Sequence, residues 1–206
     1  MRKPLLLFSM VLILTIGFSL HISLAQNPSE EFEAYKVLSL KNGPNEIDLN
    51  GDGIKDLVFV AWRENYNAHG FDLLTFYLNA SDLRYEGERK EQWLLIPFFN
   101  EKGVQDMTSY SSEMGADCIL SDIRVLRSKA SDQAPVMVVI GAREFGKSYA
   151  DSASVKFIVF ELRHNKEGMS GAPPFYFQKA RIIPGKKKYC DINEAFQKEL
   201  GLGVSR

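Results

Sequence analysis

The sequence predicts a mainly β fold, an antiparallel β-sandwich with short N- and C-terminal α-helices. Two observations carry that reading. Short runs rich in β-branched and aromatic residues recur between Gly, Asn, Asp and Pro. Helical start and stop signals fall only near the two ends of the region after Gln26.

The runs are Leu57 to Arg63, Phe71 to Leu78, Gln92 to Phe98, Cys118 to Leu126, Val136 to Arg143, Val155 to Leu162 and Phe175 to Ile183. Their number and spacing suit a sandwich or barrel. Several are apolar at consecutive positions, as in Val136-Met137-Val138-Val139-Ile140, which predicts central strands covered on both faces, by a second layer or a dimer interface. Ser29 can cap a helix from Glu30 to about Lys36, with acidic residues in its first turn. The last helix is better marked: Asp191 as cap, Glu194 completing a capping box, apolar Ile192, Ala195, Phe196 and Leu200, and Gly201 as terminator. The triplet Lys186-Lys187-Lys188 reads as a solvated turn.

Residues 1–25 have the form of a cleavable export signal. Arg2 and Lys3 precede an apolar stretch from Leu5 to about Leu20, and Ser23 and Ala25 put small side chains before Gln26. An uncleaved anchor is the alternative, although the apolar run falls short of the ~20 residues that span a bilayer. Cleavage would leave residues 26–206 as a single domain. Arg2 and Lys3 leave with the signal, so 23 basic side chains face 26 acidic ones and the mature charge is −3. That balance argues against nucleic acid or an anionic membrane as partner.

The two cysteines, Cys118 and Cys190, would travel to a compartment where thiols oxidise. A disulfide between them is the natural expectation, with two buried free thiols as the alternative.

The sharpest motif is Asp48-Leu49-Asn50-Gly51-Asp52-Gly53-Ile54-Lys55-Asp56. Side-chain oxygens stand at loop positions one, three, five and nine through Asp48, Asn50, Asp52 and Asp56, and Gly53 permits the turn that brings the Ile54 carbonyl inward. Hard cations take such all-oxygen shells, so calcium is the expected ion. Phe59 stands where an EF-hand would place its bidentate Glu, and a strand follows instead of a helix. An Asx-rich turn that binds nothing is the alternative.

Known hydrolase signatures are missing. Outside residues 1–25 only His69 and His164 remain, too few for a three-His zinc centre. Neither Ser-x-x-Lys nor Gly-x-Ser-x-Gly occurs. No catalytic residue is assigned. The connection from Arg63 to Asp72 instead suits recognition of a small polar anion, with Arg63 offering a fork to a carboxylate and Asn65 and His69 offering neutral donors. A hydrogen-bonded hairpin packed on the cation loop is the alternative, and His164 reads as part of a polar surface turn.

The stretch NGPNEIDLNGDGIKDLVFVAWRENYNAHGFDLLTFYL from Asn42 to Leu78, with GAREFGKSYADSASVKFIVFEL from Gly141 to Leu162, resembles the carbapenem intrinsic-resistance proteins of the CarG type. The resemblance implies a periplasmic protein that protects a carbapenem producer without a recognised hydrolase mechanism. It also implies a homodimer, a cation held at Asp48, Asn50, Asp52, Ile54 and Asp56, and a shape related to periplasmic inhibitors of invertebrate-type lysozyme. Three functions follow: non-catalytic binding of the carbapenem, inhibition of a lysozyme through an inserting loop at Gly146-Lys147-Ser148-Tyr149, or hydrolysis by an unrecognised site.

Overall fold

A computed structural model describes residues 28–67, 69–80, 93–114, 117–168 and 171–203. The expected export signal lies outside the described residues. No described helix is long and apolar enough to cross a membrane.

The chain runs α1 (Pro28–Phe32), β1 (Tyr35–Val37), β2 (Gly43–Ile47), β3 (Asp56–Arg63), β4 (Phe71–Asn79), β5 (Trp93–Leu95), β6 (Phe98–Phe99), β7 (Gln105–Met107), β8 (Tyr110–Ser111), β9 (Glu113–Met114), β10 (Ile119–Ser128), β11 (Met137–Arg143), β12 (Ala153–His164), β13 (Phe175–Tyr189) and α2 (Ile192–Leu200). These strands form two sheets. The larger, sheet A, has the order β1-β10-β11-β12-β13-β6-β7, with β9 also on β10. The smaller, sheet B, is the consecutive meander β2-β3-β4-β5, with β8 on β4.

Alternation along β3 explains how sheet B faces sheet A. Val58 and Val60 point inward and are buried, whereas Phe59 between them is 41% exposed. Their partners Phe76 and Leu74 on β4 are buried in turn. These side chains meet Ile123, Val125, Val138, Ile140, Phe160 and Phe177 of sheet A to form the inter-sheet core. Phe98 sits at its centre, edge-on to Phe76 and Phe160 and stacked on Phe177.

The outer face of sheet A carries a second core, made by Leu126, Val139, Phe157 and Val159 against Phe32 of α1 and Ile192, Ala195, Phe196 and Leu200 of α2. The consecutive apolar residues of β10, β11 and β12 are thereby covered on both faces, by sheet B and by the helices. Gly141 lets α2 come close, because a Cβ there would lie 2.6 Å from the Phe196 ring. Arg124, fully buried on β10, ties the helix down. Its Nε donates to the Gly203 carbonyl at 2.7 Å, Nη1 to Asp122 Oδ2 at 2.8 Å, and Nη2 to Asn193 Oδ1. The disulfide Cys118–Cys190 fastens the same region, with Cα atoms 5.6 Å apart.

Several expectations need correction. The first helix stops at Phe32, and Tyr35–Val37 pairs antiparallel with Leu126–Ser128 as β1. Lys129 holds the helix exit by donating to the Glu33 carbonyl at 2.7 Å. The expected strand from Gln92 to Phe98 is two strands, and Gln92 itself lies outside the described residues. Ile96 donates its N–H to Phe76 of sheet B, while the next carbonyl, Pro97, accepts from Phe177 of sheet A, both at 2.8 Å. The chain thus changes sheets at one peptide bond. Lys186 to Lys188 belong to β13 and form no turn; β13 extends to Tyr189, where Glu199 of α2 accepts from the N–H of Lys186 and Lys187. Asp191 caps α2 by accepting from Asn193 N at 2.7 Å, but Glu194 pairs with Lys198 one turn on and leaves the capping box open.

Candidate functional site

The acidic loop joins β2 to β3, whose antiparallel pairing begins at Ile47 and Asp56. Gly51 and Gly53 both take positive φ, 83° and 87°. A side chain at either would be strained, and at Gly51 it would also strike the Gln133 carbonyl, 1.8 Å from a Cβ. Asp48 organises the turn: Oδ1 accepts from Gly51 N at 2.6 Å and Oδ2 from Gly53 N at 2.9 Å. Asn50 Nδ2 donates to Asp52 Oδ2 at 2.7 Å, and Asp52 Oδ1 accepts from Ile54 N at 2.8 Å. Sheet A grips the loop from the other side, since Arg127 donates to the Asp48 carbonyl and Val136 N to the Leu49 carbonyl.

Asp56 is fully buried and closes the base of the loop, accepting from Leu49 N at 2.7 Å and Asn79 N at 2.8 Å. Burial pushes its carboxyl above the usual carboxylate range, the charges of Asp52 and Asp48 push the same way, and the two N–H donors oppose them. The donor set fits a hard cation in chemical type, and each Asp48 oxygen engaged by one N–H keeps a further lone pair. The side chains themselves face backbone amides: among the described residues no three of His, Cys, Asp or Glu form a group able to hold a metal ion.

The residues expected to contact a ligand do not all point outward. Arg63 is exposed, with its guanidinium carbon 5.1 Å from the ring centroid of its cross-strand partner Phe71. Asn65 turns back into its own loop and donates to the His69 carbonyl at 2.7 Å. The His69 Nδ1 lies 3.4 Å from the Met114 carbonyl. The His69 ring sits 4.7 Å from the Tyr149 ring, which meets Phe145 edge-on at 5.0 Å. Arg63, Asn65 and His69 therefore serve three different contacts, and the Arg63 guanidinium is engaged by the Phe71 ring.

Tyr149 belongs to the segment from Glu144 to Asp151, so this contact joins the two loops the sequence singled out separately. Arg143, itself buried, supports that segment by donating to the carbonyls of Tyr149 and Asp151. Asp151 Oδ2 in turn accepts from Lys147 N at 3.0 Å.

A further feature escaped the sequence. A cavity of about 460 Å³ opens beside the acidic loop. Leu78, Leu162 and Phe175 form its apolar part, and Asp52, His164 and Lys166 its polar margin. These residues come from distant segments, and apart from Asp52 of the acidic motif each looks like ordinary core or turn when read alone. The one local signal was the polar stretch from Arg163, in which His164, expected in a surface turn, is instead the last residue of β12 and stacks on its cross-strand partner Phe175 with centroids 4.4 Å apart.

The family described as "Carbapenem resistance protein CarG-like" matches residues 40–198. The chain belongs to that family. A solved structure described as "Crystal structure of CarG" is similar in fold, with a TM-score of 0.62 and 22% sequence identity over 80% of this chain and 98% of that one. No curated protein matches. Membership of the CarG-like family makes this a carbapenem-resistance-related protein. The matched region takes in the acidic loop, both surface loops and the cavity.

Proposed function

We propose that this CarG-like protein protects its cell from a carbapenem by binding the antibiotic in the periplasm, without hydrolysing it. The family match over residues 40–198 carries the reading. The missing Ser-x-x-Lys, Gly-x-Ser-x-Gly and three-His sets favour a non-catalytic route. Protection by binding is stoichiometric, so it should saturate as antibiotic exceeds protein. Purified protein in excess carbapenem should leave the ring absorbance unchanged over many equivalents, and sustained multiple turnover would overturn the proposal. Export is part of it: cells making residues 26–206 without the leader should be unprotected.

Calcium belongs to the same reading. Asp48, Asn50 and Asp52, with the Ile54 carbonyl and Asp56 behind them, would hold the ion, which would offset the repulsion among three carboxylates and stiffen the β2–β3 connection. A homodimer belongs to it as well. The outer face of sheet B carries Phe59, Leu73 and Trp93, each more than a third exposed, and is the surface we assign to a second copy. Sedimentation of the mature protein, with Phe59→Asp as the disrupting variant, tests this.

Inhibition of an invertebrate-type lysozyme is the second reading. The observation favouring it is the Arg143-supported segment, which presents Phe145 at 51% and Tyr149 at 38% exposure on a braced backbone. Mixing with such a lysozyme and following lysis of cell walls decides it.

A further inference from the structure

The cavity beside the acidic loop shares Asn50, Asp52 and Ile54 with that loop, while its other walls carry no role so far. Its volume of about 460 Å³ suits a small organic molecule. Leu78 comes from sheet B, and Leu162 and Phe175 from sheet A, so the cleft lies between the sheets at the end where the acidic loop sits. Phe175 and His164 both line it and stack on each other, tilted by 12°, so an aromatic pair stands at its edge. Lys166 stands at the margin, and among the described residues its ammonium has no carboxylate partner. An apolar, ring-bearing body with one carboxylate matches this arrangement. The ring would lie against Leu162 and Phe175, and the carboxylate would meet Lys166.

Asp52 works against an anion here. It lines the same cleft together with Asn50 and Gly51, so the acidic loop is a wall of the cavity. A cation in that loop would cancel part of the local negative charge and fix the wall in place. By linkage, the ion and the organic anion would then strengthen each other's binding by the same factor.

We infer that the cleft bounded by the acidic loop, His164, Lys166 and Phe175 binds small carboxylates with an apolar ring body, and that calcium in the loop tightens this binding. The inference rests on the proposed function for the calcium ion in the loop and for the choice of a carbapenem as one probe.

The experiment titrates the mature protein with a carbapenem and, separately, with naphthalene-2-carboxylate, each with calcium and with chelator, by calorimetry and by amide NMR. The expected result is saturable binding with shifts centred on residues 162–166 and 175, about fivefold or more tighter with calcium. Lys166→Glu should weaken it about tenfold or more, and Leu162→Trp should block it by filling the cleft. Melting curves establish that Leu162→Trp folds, and Lys166→Glu, at an exposed position, gives an independent reading. Absence of saturable binding by the parent protein, or unchanged affinity in both variants, overturns the inference. Carbapenem binding that survives both variants would remove the cleft and leave sequestration standing. Binding of the naphthoate but not the carbapenem would keep the cleft and remove sequestration.

Discussion

The guanidinium carbon of Arg124 lies 4.4 Å above the centroid of the Phe196 ring. A fully buried cation on β10 is thereby capped by an aromatic face of α2 while its donors reach Asp122, Asn193 and Gly203. Removing one member of such a set leaves the others desolvated and without partners. Arg124→Met should therefore lower stability by about 3–5 kcal/mol, read as a shift of the urea midpoint. A loss below about 1 kcal/mol would mean that the helix is held by its apolar face alone.

Gly141→Ala tests the same interface by crowding. The added methyl meets Phe196 and Ile192 at under 3 Å, and overpacking of this kind costs about 1–3 kcal/mol. On an Ile192→Ala background the added cost of Gly141→Ala should shrink, because that change removes the Cγ1 that the methyl meets at 2.8 Å.

The disulfide closes a sequence separation of 72 residues, for which chain entropy gives on the order of 4 kcal/mol. Non-reducing peptide mapping of the mature protein should recover Cys118 and Cys190 linked. The paired change to Ala should lower the melting temperature, and reductant should then have no further effect.

Calcium should raise the melting temperature of the parent protein by mass action. Chelator should reverse the rise. Asp52→Ala is the better control variant, since Asp48 also supports the N–H groups of Gly51 and Gly53 and its loss would weaken the loop with or without an ion. An identical calcium response in Asp52→Ala would remove the loop as the site.

Tyr189 gives a pH dependence of defined sign. Burial, and after it the neighbouring Glu199 carboxylate, raise its phenol above the ordinary value. The folded state thus holds the proton more tightly than the unfolded chain. Its contribution is fully present below about pH 10 and is lost as pH rises through the folded value. Tyrosinate absorbance should show one late-ionising phenol, and Tyr189→Phe should remove it and flatten the alkaline loss of stability.

The strands with long β-branched and aromatic runs, β3, β4 and β10 to β12, were legible because each buries a continuous apolar face, and β13 was legible through its aromatic start, Phe175 to Phe177. β2 was not: Gly43-Pro44-Asn45 reads as a turn, yet Asn45 is buried and its amide donates to the carbonyls of Lys41 and Val58, fastening the strand to β3. The Lys186 to Lys188 run misled for a related reason, since the strand there is held by its backbone against Glu199 and by its neighbour β12. Local composition carries neither kind of support. For the candidate site, the acidic loop and the disulfide were readable as spacing and count, and so was the loop from Arg63. The inward turn of Asn65 is a local bond to the His69 carbonyl that composition does not specify, and the meeting of His69 with Tyr149 depends on a contact across 80 residues of chain. The cleft at Lys166 depends on five separate stretches of chain meeting, 50–54, 78–79, 135, 162–166 and 175.

The change of sheet between Ile96 and Pro97 also sets an order of events during synthesis. Ile96 leaves the ribosome after its partner Phe76, so sheet B can assemble as a run of neighbouring hairpins from chain already made. The Pro97 carbonyl must wait for Phe177, 80 residues later. Until then Phe98, the centre of the inter-sheet core, lacks its stacking partner, and until β10 to β12 are made the inner face of sheet B has nothing to cover it. A chain held up before β10 is therefore a sticky half-sandwich, and that window is where a holding chaperone has the most to do.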